Sequence, residues 1–196
     1  MFLLGLTGSI GMGKSTTAAL FADAGCAVWD ADAAVHRLYG VGGAAVPLFM
    51  AAFPQAVVAG AVSRPRLKEI IAQDPTALKK IEQIVHPLVG QDRAAFIAQT
   101  AADIVVLDIP ILFETGGDAR MDAVACVTID PATQKQRVMA RGTMTEAQFE
   151  AILAKQMPND EKSARSDYVI QTDSLEHATA QVQSIVKSIR EGLQHA

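Results

Sequence analysis

The amino-acid sequence predicts an α/β fold of three layers, a five-stranded parallel sheet between helices, carrying a helical insertion and a small helical lid. Three observations lead there. Short apolar runs alternate with helical patterns along the 196 residues, as expected of parallel strands buried on both faces. A glycine-rich loop joins the first apolar run directly to the first helical one. Between the second and third strands lie about 70 residues without a strand pattern, too many for a crossover helix and therefore read as an inserted helical subdomain.

The predicted strands are Phe2 to Leu6, Cys26 to Trp29, Ile104 to Leu107, Ala123 to Ile129 and Tyr168 to Ile170. The first helix runs from about Lys14 to Ala24 and stops at Gly25, suited to a left-handed C′ position. Another opens at Asp130-Pro131, N-cap then N1, and the last runs from Leu175 to about Glu191 behind Asp173. Within the insertion, helical patterns cover Ala33 to Tyr39, Ala45 to Phe53 and Pro65 to Gln73, and a long helix opens at Asp74-Pro75. Leu78, Ile81, Val85 and Leu88 give that long helix one buried stripe, and Pro87 interrupts its hydrogen bonding. Gly142 to Ser166 holds short capped helices, one at Thr145-x-x-Gln148 and one near Pro158, with little apolar surface, and reads as mobile. The core is thus residues 1–33, 101–141 and 167–196, the insertion 34–100 and the lid 142–166.

Composition narrows the function classes. Half the residues are hydrophobic and 19% charged, which excludes a mainly disordered chain. The net charge of −4 argues against broad binding to nucleic acid or an anionic membrane, so an anionic ligand needs a local site. Cys26 and Cys126, a hundred residues apart in apolar runs, offer neither a disulfide framework nor zinc spacing. No apolar stretch reaches the roughly 18 residues that span a bilayer, and the N-terminus lacks a basic leader pattern. A cytoplasmic protein is expected, with no nucleic-acid, membrane or obligate protein partner.

Gly8-Ser9-Ile10-Gly11-Met12-Gly13-Lys14-Ser15 matches G-x-x-x-x-G-K-[ST] between a strand and a helix, the phosphate-binding P-loop. Glycines let backbone N–H groups converge on phosphate oxygens, and the following helix N-terminus adds partial positive charge. Lys14 would reach the β- and γ-phosphates of a nucleotide and Ser15 would ligate Mg²⁺. Ligands of open parallel sheets sit beyond the strands' carboxyl ends, where Asp30, Asp32 and Asp108 fall. Asp108 closes Ile104-Val105-Val106-Leu107 as a Walker B acid would; a plain strand-end turn is the alternative. In an extended Trp29-Asp30-Ala31-Asp32 both aspartates point one way, and one could face a substrate hydroxyl; alternatively Asp32 caps a helix starting at Ala33. Arg137 and Arg141, four apart on one helix face, could close over a transferring phosphoryl group or form a solvated basic face.

Taken in order, these residues resemble the dephospho-coenzyme A kinases, which make coenzyme A from ATP and 3′-dephospho-coenzyme A. LTGSIGMGKST at the start is similar to that family's LTGGIGSGKST. Asp30-Ala31-Asp32 falls at its D-x-D, Arg64 and Leu67 at its R-x-x-L, and His86-Pro87 at its HP pair. The segment Asp108-Ile109-Pro110-Ile111-Leu112-Phe113-Glu114 is the most discriminating, because general P-loop kinases lack it. Gln134-x-x-Arg137-x-x-x-Arg141 and Asp167-Tyr168-Val169-Ile170 complete the set. Ser63 stands where the family usually has aspartate, Ser166 replaces alanine, Thr172 replaces an asparagine near the adenine, and Thr115 to Met121 is glycine-rich in place of a leucine-containing stretch.

The resemblance implies a P-loop kinase core and attack of the ribose 3′-hydroxyl on the ATP γ-phosphorus. Asp32 would orient the hydroxyl and take its proton, while Lys14, Mg²⁺ and Arg141 neutralise the phosphoryl oxygens. It places the nucleotide on Gly8, Gly11, Met12, Gly13, Lys14, Ser15, Thr16, Arg137, Arg141 and Thr172. The acceptor falls to Asp30, Asp32, Arg64, His86, Asp108 and Phe113, and the metal to Ser15 and Asp108. Arg64 is a candidate for the acceptor pyrophosphate, and His86 is either a ligand or a buried histidine fixing the bend at Pro87. Closure of 142–166 would exclude water. Another small-molecule or nucleotide kinase and a nucleotide-dependent switch are the alternatives; the chain lacks the N-K-x-D segment of a guanine-reading switch.

Overall fold

The structure, a computed structural model, describes residues 1–194. In chain order, β1 (Phe2–Thr7) leads through the glycine-rich loop into α1 (Lys14–Asp23), and β2 (Ala27–Asp30) follows. Then come α2 (Ala31–Tyr39), α3 (Val46–Ala52), the two-residue strands β3 (Val57–Val58) and β4 (Ala61–Val62), α4 (Arg64–Gln73) and α5 (Ala77–Gln99). The chain continues through β5 (Ile104–Asp108), β6 (Ala123–Thr128), α6 (Pro131–Ala140), α7 (Glu146–Leu153), α8 (Asn159–Ala164), β7 (Tyr168–Gln171) and α9 (Leu175–Gln194). Contacts divide it into two units, Met1–Trp29 with the chain from Ala101 on, and Asp30–Thr100.

The first unit is built on a five-stranded sheet in the order β2-β5-β1-β6-β7. β1 pairs in parallel with β5 and β6, and β6 with β7. The central strands β5 and β6 are apolar up to their last residues, Asp108 and Thr128, as expected of strands covered on both faces. Leaving β1 the chain goes to the β2 edge, and leaving β5 it crosses to β6, so the order reverses at the carboxyl ends of β1 and β5. Ligands of open α/β sheets sit at such a reversal. Along α9, Ala178, Val182, Ile185, Val186 and Ile189 form a buried stripe against α1 and β7, each large aliphatic contributing about 1.5–3 kcal/mol. Gly25 ends α1 at φ +86°, as its sequence position predicts. Both cysteines are free and buried, and burial pushes the Cys26 thiol up to about 11. They are small core residues, and a thiolate at either is disfavoured.

Four features differ from expectation. The insertion contains a hairpin, with Val58 paired to Ala61 across the turn Ala59-Gly60. Strands this short show no alternation that a sequence pattern could reveal. The long helix starts at Ala77, because the Asp74 carboxylate accepts from the N–H and hydroxyl of Thr76 and so builds a turn ahead of it. Its buried stripe accordingly begins at Ala77 and continues through Ile81 and Val85, while Leu78 is exposed. Finally, 142–166 is tied down in part: Phe149 is buried, and α8 packs on β6 with Lys162 inside.

The second unit has its own core, in which Tyr39 meets Phe49 edge-on at 5.5 Å and Leu67, Ile81 and Val85 close the cluster. Ala59 sits at φ +50° and Gly60 at φ +79°, the two left-handed positions of a type I′ hairpin turn. A left-handed alanine costs about 1–2 kcal/mol, whereas asparagine tolerates that region through local hydrogen bonding. Ala59→Asn should therefore raise stability by about 0.5–1 kcal/mol in denaturant unfolding. An unchanged or lowered midpoint would contradict the assigned turn.

Candidate active site

The site in the first unit is organised by the start of α1. Gly13 is its N-cap at φ +90°, no side chain caps it and no acidic residue lies in its first turn. By contrast, the N-termini of α2, α6 and α7 are capped by Asp30, Asp130 and Thr145. The α1 terminus thus offers its N–H groups and positive end to an external anion. Gly11 is obligatory for a second reason: at φ +80°, a Cβ there would lie 2.5 Å from Val138 Cγ2 on α6. The loop can pass this close to the helix only without a side chain.

Lys14 Nζ is ion-paired with Asp108 Oδ1, bringing together two of the predicted site residues. Asp108 is only 1% exposed at the end of β5, across from Leu6 in the β1 ladder, so its charge needs a partner. Ser15 and Thr16 are exposed on the first turn of α1. Met12 is buried, with its Sδ accepting from Ile129 N–H at 3.3 Å, so only its backbone can address a ligand. Gly8 begins the loop where a Cβ would lie 2.4 Å from Val127 Cγ2.

The arginines separate. Arg137 donates to the Thr172 hydroxyl at 3.0 Å and carbonyl at 2.6 Å, and the Thr172 hydroxyl donates to Met12 O at 2.8 Å. These bonds hold the phosphate loop from behind, so Arg137 does not share the open position expected for both arginines. Arg141 is exposed at the C-cap of α6, followed by Gly142 at φ +62°. Phe113 is buried under the Arg165 guanidinium, 4.4 Å from its ring centroid, and does not present an open aromatic face.

The remaining predicted residues belong to the second unit. β2 ends at Asp30, and Asp30 Oδ1 accepts from Ala33 N–H at 2.9 Å. The cap that the sequence offered to Asp32 therefore falls to Asp30, and the extended geometry expected of the pair is absent. Asp32 is exposed in the first turn of α2. Arg64 opens α4 with its guanidinium 5.9 Å from the Tyr39 ring centroid. His86 is exposed on α5, which excludes a buried structural histidine, and the helix continues past Pro87 to Gln99.

Sequence reasoning missed the side chains that brace the loop. Gln134 Nε2 donates to Ile10 O at 2.7 Å, Asn159 Oδ1 accepts from Ser9 N–H at 2.9 Å, and Gln156 Oε1 accepts from Ile10 N–H at 3.3 Å. Lys162, fully buried, donates to Pro110 O and to Glu114, both at 2.8 Å. Gln134 carried one usable signal, its place one turn before Arg137 on the same helix face. The other three lie on a polar stretch with no pattern to mark them.

Burial pushes the Glu114 carboxyl up, but bonds from Lys162 and backbone N–H groups outweigh it and hold the group below the ordinary glutamate value. A carboxyl lowered on folding stabilises above its unfolded value, about 4.3, and that contribution is lost as the pH falls through the folded value. The stability gap between the natural protein and Glu114→Gln should thus narrow below about pH 4 in denaturant titrations. A gap independent of pH would refute this account of Glu114.

Comparison with known proteins gives the family of the chain. The chain is 72% identical over 195 residues to a dephospho-CoA kinase of Ruegeria pomeroyi, covering 100% of this chain and 99% of the relative. It is 60% identical over 190 residues to one of Cereibacter sphaeroides, covering 97% and 96%. A crystal structure of TT1252 from Thermus thermophilus superposes with a TM-score of 0.85 at 32% identity, over 95% of this chain and 96% of that one. The dephospho-CoA kinase from Campylobacter jejuni, at 21% identity and a TM-score of 0.67 over 97% and 98%, shares the fold. With the dephospho-CoA kinase family model matching residues 2–177, the chain belongs to that family.

Proposed function

We propose that this protein transfers the γ-phosphoryl group of ATP to the ribose 3′-hydroxyl of 3′-dephospho-coenzyme A, giving coenzyme A and ADP in the last step of coenzyme A biosynthesis. The observation that carries this reading is a P-loop whose lysine pairs with the β5 aspartate, in a chain matching the kinase family over residues 2–177. In the reaction a bond forms from the 3′-oxygen to the γ-phosphorus and the β–γ bridging bond breaks. The hydroxyl proton passes to Asp32, and ADP leaves. Asp32 suits that role because capping falls to Asp30 and its own carboxylate is exposed. Lys14 and Arg141 offset the charge on the phosphoryl oxygens, and Arg137 acts indirectly by holding Thr172 against the loop.

A magnesium ion fits the donors present. Ser15 and Asp108 supply one hydroxyl and one carboxylate, and among the described residues no group of three metal-ligating side chains occurs. Mg²⁺ binds in this manner, through few protein oxygens with water and phosphates completing its shell. When bound it would supply positive charge that offsets the charge of the nucleotide phosphates.

We assign the second unit to the acceptor, with Arg64 toward its pyrophosphate and the exposed His86 as a further contact. Phe113, packed under Arg165, presents no open face to the acceptor. Within 142–166 we limit lid motion to local rotation at Gly142, φ +62°, since Phe149 on α7 is buried and α8 packs on β6. Among the described residues no helix is long and apolar enough to cross a membrane, and we place the protein in the cytoplasm, without a nucleic-acid or obligate protein partner.

A coupled assay of ADP release with ATP and several acceptors tests the reading. Release with 3′-dephospho-coenzyme A should far exceed that with water, and equal rates would sink the proposal. Asp32→Asn should lower kcat at least about a hundredfold while ATP still binds, the size expected for a lost general base. Unchanged turnover would remove Asp32 from the chemistry. Lys14→Ala should cost about 3 kcal/mol or more of transition-state stabilisation in kcat/KM, and near-normal activity would refute its role.

A further inference from the structure

The stretch from Gln156 to Lys162 has a part that neither motif nor family likeness assigns. Ser9 N–H and Ile10 N–H donate to Asn159 Oδ1 at 2.9 Å and Gln156 Oε1 at 3.3 Å. Asn159 uses its other arm as well, donating through Nδ2 to Val127 O at 3.2 Å on β6. With both ends of the amide engaged, its orientation is fixed. Three residues on, Lys162 Nζ donates to Pro110 O and to Glu114, and Glu114 Oε1 also accepts from Met157 N–H at 3.0 Å. Pro110 O accepts in addition from the Thr7 hydroxyl at 3.1 Å, at the entrance to the phosphate loop. The stretch is thereby bonded to the loop, to β6 and to the segment following Asp108.

We infer that Gln156 and Asn159 are positioning residues for the nucleotide. They hold the outer shoulder of the phosphate loop so that the N–H groups at the start of α1 are already converged when phosphate arrives, and the Lys162–Glu114 pair anchors them. The division of labour supports this. The pegs engage residues 9 and 10, whereas a phosphate at a helix N-terminus is cradled by the N–H groups beside Gly13 and Lys14. The pegs therefore compete for none of the cradle's donors. A loop with three glycines loses much conformational freedom on ordering, and bracing it beforehand lowers that cost at the moment of binding. A glutamine and an asparagine serve where carboxylates would not, because a negative charge here would repel the phosphates.

The inference rests on the ATP-dependent reading above and is tested by calorimetric titration with Mg·ADP, which needs no acceptor. Gln156→Ala and Asn159→Ala should each raise the ADP Kd and the KM for ATP about tenfold, the weight of one net hydrogen bond, and leave the KM for 3′-dephospho-coenzyme A within about twofold. Gln156→Glu keeps an acceptor for Ile10 N–H but adds charge, and should weaken ADP further than the alanine variant does. Because Asn159→Ala can also lower the melting temperature, the Gln156 variants carry the decision. The inference is overturned if they bind ADP as the natural protein does, if both KM values rise together, or if glutamate restores natural affinity. Failure of the natural protein to bind ADP would overturn the nucleotide reading along with it.

Discussion

The Lys14–Asp108 ion pair is the constraint on which the site depends. A carboxylate only 1% exposed cannot stay charged without compensation, and its partner is the lysine of the phosphate loop. The sheet brings them together: parallel pairing of β1 with β5 sets Leu6 across from Asp108, and the loop departs one residue beyond. Shifting that register would turn the aspartate to the wrong face and leave two unpaired charges near the core. Pairing between Phe2 and Ile104 at the far end of the same strands is thus part of what aims Lys14.

Positive charge in an acidic chain is placed rather than abundant. The net charge is −4, yet the N-terminus of α1 has no acidic residue in its first turn and no side-chain cap. Neighbouring helices use their N-terminal N–H groups internally, α2 on Asp30 and α6 on Asp130. Only a terminus left open can offer its dipole to a phosphate. The same capping logic separates Asp30 from Asp32, since a carboxylate accepting from Ala33 N–H is committed to structure while its neighbour two positions on is not.

What was legible in the sequence was local. The five strands, the loop, the Gly25 stop and the Thr145–Gln148 capping box are read from residues within a few positions of one another. Residues that act across the fold left no such trace: Gln134 meets Ile10, Asn159 meets Ser9 and Lys162 meets Pro110 across long stretches of chain. Lys162 is the clearest case, a lysine in a polar six-residue helix that nothing local marks as buried. Burial here comes from α8 packing on β6, a tertiary fact. Exposure of His86 and the Arg137–Thr172 clasp were hidden for the same reason, since a helix face shows where a side chain points and not what meets it.

Departures from the family pattern show what the fold requires at each place. Ser63 stands where aspartate is usual, and its side chain still accepts from Arg66 N–H as the N-cap of α4. Cap preference is shared among small residues with a side-chain oxygen, so the bond survives the change of residue. Thr172 replaces an asparagine, and its hydroxyl donates to Met12 O while accepting from Arg137. A Gly13 Cβ would approach that hydroxyl to 3.0 Å, so the threonine also closes the space behind the loop. One hydroxyl, a donor and an acceptor at once, meets both demands where an amide would use two atoms. The requirement at this position is therefore a clasp between α6 and the phosphate loop, and it can be met without the residue the pattern names.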